Sequence, residues 1–155
     1  MCGFTGFSDY IGESEEMKKV LCRMNDRIVH RGPDASGTYI DDRTALGFRR
    51  LSIIDLSDAA DQPLYNETGT VAVVFNGEIY NFESIREELL RLGHTFVSHT
   101  DSEVLVHGYE EYGVELLKKL RGMFAFTIWD RKKGRLIGAR DIFGIKPYYY
   151  SKCKN

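Results

Sequence analysis

Residues Val71-Ala72-Val73-Val74-Phe75 form an unbroken apolar run. A strand with one wet face alternates apolar and polar residues, so an uninterrupted run reads as a strand buried on both faces. The rest of the chain must supply packing for two faces, and its composition allows this. Of 155 residues 43% are hydrophobic, with nine Tyr and nine Phe, which excludes wholesale disorder. The length fits one domain. No repeat, low-complexity tract or linker divides it, and there are only three prolines.

Around this run the remaining elements fall into groups. Residues 1–7 read as a short strand with glycines where backbone or ligand comes close. Met17, Val20, Leu21, Met24 and Ile28 recur at helical spacing behind Ser14 as N-cap, with Glu15 and Glu16 suiting the helix dipole. That helix is expected to stop at the His30–Asp34 cluster, where Pro33 disfavours it. Residues 38–40 and 44–48 read as a hairpin through Asp41-Asp42-Arg43. Asn81 caps a helix with Phe82, Ile85, Leu89 and Leu92 on one side, closed by Gly93. Further helices are expected after Thr100-Asp101 and over 114–120, then strands over 123–129, 135–140 and 148–150. Helices and strands grouped in this way predict an α+β domain with largely antiparallel sheets.

The charge balance narrows the functional classes. With 21 Lys+Arg against 23 Asp+Glu, the formal charge is -2 and the pI about 6.1, so nothing favours nucleic acid or an anionic membrane as partner. No stretch approaches a spanning helix and no signal peptide opens the chain, which reads as cytoplasmic. Cys2, Cys22 and Cys153 lack CxxC spacing, against both a disulfide scaffold and a zinc ribbon. His30, His94, His99 and His107 show no metal-binding spacing and read as loop or surface residues; no metal is expected. Neither a phosphate loop nor a dinucleotide fingerprint is present.

Four features carry candidate chemistry, each with a plainer reading beside it. Cys2 is a small hydrophobe near a terminus, or, once Met1 is removed, a thiol nucleophile whose own α-amine can act as general base near neutral pH. Asn76-Gly77 is a type I′ hairpin turn, the commoner meaning of that dipeptide, or an oxyanion hole. Arg49 and Arg50 fall on opposite faces of a strand, and an inward Arg wants a carboxylate from protein or ligand. Asp101 is an N-cap or an anionic site for a substrate ammonium.

Taken in order, the blocks are more specific than any one of them. Cys2-Gly3, His30-Arg31-Gly32-Pro33-Asp34, Arg50-Leu51-Ser52-Ile53-Ile54-Asp55 and Gln62-Pro63-Leu64 come first. Phe75-Asn76-Gly77-Glu78-Ile79-Tyr80-Asn81, Thr100-Asp101-Ser102-Glu103 and Gly122-Met123-Phe124-Ala125-Phe126 follow. Ala139-Arg140-Asp141 and Gly144-Ile145-Lys146-Pro147-Tyr148-Tyr149 end the series. Over nearly its whole length the chain resembles the class II glutamine amidotransferase domain of glutamine-using asparagine synthetases.

The resemblance implies an N-terminal-nucleophile hydrolase fold, an αββα four-layer sandwich with two antiparallel sheets. It implies hydrolysis of glutamine by Cys2 through a γ-glutamyl thioester after removal of Met1, with release of ammonia for asparagine synthesis. Asn76 and Gly77 then match the oxyanion hole, Arg50 the grip on the α-carboxylate and Asp101 that on the α-ammonium. Leu51, Ile53, Ile54 and Glu78 match the remainder of the pocket, and Arg31 to Asp34 a loop that shapes it. No cofactor is implied here, because ATP and Mg belong to a C-terminal synthetase domain that this chain, read as a fragment, does not contain. Glutamine and that domain are the implied partners, and a homodimer stays open. Two alternatives remain: another class II enzyme, making amino sugars or purines, and a catalytically silent domain that binds glutamine or a partner chain.

Overall fold

A computed structural model of the chain describes residues 2–10, 12–51 and 61–152. The first sheet has the order β1 (Gly3–Ser8), β3 (Thr44–Arg50), β2 (Ala35–Ile40). The second runs β4 (Leu64–Tyr65), β5 (Val71–Ile79), β6 (Gly122–Asp130), β7 (Arg135–Arg140). All pairings are antiparallel. The helices among the described residues are α1 (Ser14–Arg27), α2 (Phe82–Arg91), α3 (Val104–Tyr112) and the single turn α4 (Leu116–Lys119).

Three apolar cores set the order of the layers. Met17 and Leu21, one turn apart on α1, meet Ala45 of β3. Leu46 and Phe48, on the other face of β3, meet Val74 of β5 and Trp129 of β6. Val71, Val73, Phe75 and Ile79 then meet Ile85 and Leu89 of α2 and Leu105 and Tyr109 of α3. The layers are thus helix, sheet, sheet, helices: the αββα sandwich that the resemblance implies. The apolar run over 71–75 is the reason for the arrangement. Its successive side chains feed two different cores, so it is buried on both faces as its pattern predicts. Each large side chain so buried contributes about 1.5–3 kcal/mol.

Several local expectations are corrected. Asn76-Gly77 makes no turn, because β5 continues through it to Ile79 and pairs residue for residue with β6. α1 starts at Ser14 with Glu13 at the cap position, and neither there nor at Asn81 does a side chain cap the helix. The Asn81 side chain is used across the fold, taking the Arg121 N–H (2.8 Å) and donating to the Lys119 carbonyl (2.9 Å). The helix expected after Asp101 begins as a 3₁₀ turn, Asp101–Glu103, before α3. The helix expected over 114–120 is a 3₁₀ turn, Gly113–Glu115, followed by α4.

Residues 148–150 form no strand. Tyr148 instead lies across β6 and β7, its hydroxyl 2.8 Å from Thr127 Oγ1. A Cβ at Gly138 would stand 2.3 Å from that hydroxyl, so only glycine admits the ring there. The hairpin over 38–48 is present, with longer strands than its pattern shows, and Asp41 ties its turn to the opposite sheet. That carboxylate accepts the Thr44 N–H (2.7 Å), the Tyr39 hydroxyl (2.7 Å) and Trp129 Nε1–H (2.6 Å). Among the described residues no helix is long and apolar enough to cross a membrane.

Candidate active site

Strand register brings the first two candidate residues together. Gly3 of β1 lies opposite Arg49 of β3, so Cys2 comes level with Arg50. The Cys2 sulfur accepts the Leu51 N–H at 3.4 Å, and the thiol is 3.6 Å from the Leu51 carbonyl. Arg31 donates to the Cys2 carbonyl (3.3 Å), and the Asp34 N–H to that of Arg50 (3.0 Å). The Arg31–Asp34 loop thus holds the backbone on which both candidates sit. Arg49 and Arg50 part as alternation predicts. Arg49 turns to α1, pairing with Asp26 at 2.6 Å, whereas Arg50, only 7% exposed, points into the gap between the sheets.

β5 delivers the next group from the other sheet. Asn76 and Glu78 share the face of Val74, which looks toward β3, and Asn76 is 8% exposed. Gly77 is demanded by close approach: a Cβ there would lie 2.2 Å from the Met123 carbonyl oxygen and 2.6 Å from Phe124 Cα. The reason for glycine is therefore the neighbouring strand, and the dipeptide belongs to the cavity wall.

Asp101 is not the N-cap of its plainer reading: Thr100 holds the cap position of the 3₁₀ turn, and no side chain caps it. Asp101 Oδ2 accepts the Ile79 N–H at 2.7 Å, joining the 3₁₀ turn to the end of β5. Burial raises the Asp101 pKa above the ordinary carboxylate value, and the nearby Glu78 charge adds to the effect, against the Ile79 N–H that lowers it. A cation placed here would relieve two carboxylates at once.

These residues line one cavity of about 530 Å³. Cys2, Arg50, Leu51, Asn76, Gly77, Glu78 and Asp101 all border it. Ile53 and Ile54 lie outside the described residues. A larger hollow of about 840 Å³ runs along the charged face of α1 and contains none of these groups. Arg50 meets a protein carboxylate from outside the cavity lining, its Nη1 2.6 Å from Asp61 Oδ1, so part of its fork is oriented before any ligand arrives.

Three further polar wall residues carried no assigned role in the sequence, although Gln62 and Lys146 lie in blocks that were conspicuous there. Gln62 is 7% exposed, and its Oε1 accepts the Phe75 N–H (2.5 Å). Lys146 is 6% exposed and is brought in by Asp141, which accepts the N–H groups of Phe124, Ile145 and Lys146. His99 is the third. The reading of all four histidines as loop or surface residues fails for His107, which is 1% exposed within α3. It stands beside Glu67, His94 and Glu110, away from the cavity lining, and those four residues could hold a metal ion.

A family model described as "Glutamine amidotransferase domain" matches residues 1–155. The chain belongs to that family. This amidotransferase domain is 48% identical over 153 residues to asparagine synthetase [glutamine-hydrolyzing] 1 of Bacillus subtilis (strain 168), covering 97% of this chain and 24% of that protein. It is 44% identical over 149 residues to asparagine synthetase [glutamine-hydrolyzing] 2 of Arabidopsis thaliana, covering 96% of this chain and 25% of that protein. Amidase chry2 of Gibberella zeae is 39% identical over 166 residues, covering 100% of this chain and 25% of that protein. Among solved structures, a glutamine phosphoribosylpyrophosphate amidotransferase from B. subtilis is similar with a TM-score of 0.49 at 23% identity, over 59% of this chain and 22% of that one. The amidotransferase domain thus spans about a quarter of the length of the curated relatives it matches.

Proposed function

We propose that the cavity hydrolyses glutamine to glutamate and ammonia, with Cys2 as nucleophile in an N-terminal-nucleophile hydrolase mechanism. The observation that carries this reading is the arrangement within one cavity. A thiol and an Asn-Gly pair line the same cavity, with Arg50 and Asp101 supplying the opposite charges that an amino acid's α-carboxylate and α-ammonium require. A volume of about 530 Å³ is ample for glutamine.

In this mechanism Met1 is removed and the freed α-amine of Cys2 takes the thiol proton. The sulfur attacks the side-chain amide carbon of glutamine, and the Asn76 amide with the Gly77 N–H binds the oxyanion. One such donor is worth about 10²–10³ in rate. The C–N bond breaks as the protonated amine returns its proton to the leaving nitrogen. Ammonia departs and a γ-glutamyl thioester remains. Water, deprotonated by the same amine, then cleaves the thioester to glutamate and the free thiol. Leu51, through its two contacts to sulfur, positions the nucleophile, while Glu78 completes the pocket.

No cofactor enters either step, since nucleophile, base and oxyanion donors all come from the chain. The ammonia serves asparagine synthesis by a C-terminal synthetase domain of the parent protein, where ATP and Mg act. The names and fourfold greater length of the relatives support this assignment. The domain works in the cytoplasm, as a monomer or as a homodimer.

Intact mass before and after exposure to a diazoketone analogue of glutamine tests the core of the reading. The expected result is a mass lacking methionine that gains one adduct on Cys2, no adduct in Cys2→Ala, and no ammonia release by that variant. Turnover of Cys2→Ala near the wild-type level overturns it.

A further inference from the structure

Outside the cavity, three segments far apart in sequence converge on a second group of polar side chains. Glu67 comes from the turn between β4 and β5, and His94 from the segment after α2. His107 and Glu110 lie one turn apart on α3. One ligand atom from each lies within 4.8 Å of the others. The two imidazoles are tilted against one another with centroids 5.2 Å apart.

The chemistry of His107 is what makes this more than a polar cluster. Its ring is 1% exposed and its Nε2 sits 3.4 Å from Glu103 Oε1. Both Glu103 oxygens also take hydrogen bonds, from the N–H groups of Val97 and Ser98 and from the Ser98 hydroxyl. A carboxylate used in this way is an acceptor, so Nε2 carries the proton and Nδ1 presents its lone pair. Buried Nδ1 makes no hydrogen bond, yet it lies 3.2 Å from Glu67 Oε2. A lone pair and a carboxylate oxygen facing each other at that distance repel unless a proton or a metal cation lies between them.

The two carboxylates are similarly oriented from behind. Glu67 Oε1 takes the Thr95 N–H (2.9 Å) and also lies 3.1 Å from His94 Nδ1, while His94 Nε2 lies 3.6 Å from Glu111 Oε2. Asn66 donates to Glu110 Oε2 (3.0 Å). Carboxylate and amide partners behind imidazole and carboxylate ligands are the usual support of a metal site.

We propose that Glu67, His94, His107 and Glu110 bind one divalent transition-metal ion, best matched by zinc. Two imidazole nitrogens and two carboxylate oxygens suit zinc better than calcium or magnesium, which take oxygen ligands. The ion is structural: it clamps the β4–β5 turn and the chain after α2 onto α3, the helix entered through the 3₁₀ turn that carries Asp101.

Chelator-stripped full-length chain titrated with cobalt(II), then displaced by zinc, decides the matter. The expected result is one bound equivalent with visible d–d bands and no thiolate charge-transfer band, a melting temperature raised by zinc, and no effect of magnesium. His94→Ala should bind about 100-fold more weakly. Glu110→Gln, at an exposed position, should weaken binding about tenfold while the metal-free melting temperature stays at the wild-type value. Binding of equal strength in wild type and His94→Ala, a thiolate band, or no bound equivalent in the wild type each overturns the proposal.

Discussion

At the scale of single residues, Asp101 shows how one carboxylate belongs to the fold and to the cavity lining together. It takes the Ile79 N–H, a bond an amide oxygen can also accept, while burial and Glu78 keep its pKa raised. A carboxylate whose folded pKa is raised disfavours the folded state when ionised and ceases to do so as pH falls through that value. Asp101→Asn keeps the acceptor and removes the charge. Its melting temperature is therefore expected to equal or exceed the wild type at neutral pH, while the KM for glutamine rises about 10–100-fold. With Asp101 in its proposed role, the same raised pKa is expected to make wild-type KM climb on acidification at a higher pH than an ordinary Asp would give. Thermal melts and a KM–pH profile measure both; a large drop in melting temperature with unchanged KM would assign Asp101 to structure alone.

At the scale of the element, β5 illustrates why a local motif misleads. Asn-Gly between apolar stretches signals a hairpin because both residues tolerate positive φ. Here neither is needed for a turn: Gly77 is absent from the positive-φ positions, and its missing side chain makes room for the Met123 carbonyl. Gly77→Ala therefore forces β5 and β6 apart, where a local relaxation would not suffice. The expected loss is about 2–4 kcal/mol, since overpacking typically costs about 1–3 kcal/mol and strand backbones cannot move singly. Urea unfolding measures it, and a loss under about 0.5 kcal/mol, the scale of an ordinary surface change, would contradict the close-approach explanation.

At the scale of the molecule, buried carboxylates set the response to acid. Burial pushes Glu103 up, but hydrogen bonds from His107, the Ser98 hydroxyl and the Val97 and Ser98 N–H groups bring its pKa down to about 2. Burial also raises Asp141, and the N–H groups of Lys146, Ile145, Phe124 and Phe143 more than offset it, leaving its pKa lowered. Depressed carboxylate pKa values give stability that is present above the unfolded value and lost as pH falls toward the folded one. For Glu103 that window runs from its ordinary 4.5 down to about 2. The urea midpoint of the wild type should fall through this window. Glu103→Gln should start lower at neutral pH and fall less steeply between those limits; an identical slope would show that Glu103 contributes nothing to acid sensitivity.

Much of the architecture was legible in local pattern. The 71–75 run requires cover on both faces whatever surrounds it, and the 17/21 spacing on α1 and the alternation of Arg49 and Arg50 are properties of a strand or a helix taken alone. The ordered blocks likewise carried the family. Other features depend on contacts between residues distant in sequence. Whether Asn76-Gly77 turns or continues was decided by β6, some 50 residues later. Tyr148 forgoes a strand because Gly138 and Thr127 receive its ring and hydroxyl. Lys146 enters the cavity wall through Asp141, and His107 becomes a buried group because Glu67 and His94 meet it from other segments. Periodicity and turn chemistry act over a few residues and are written in the chain. Burial, close backbone approach and the meeting of charges exist only once the layers have closed.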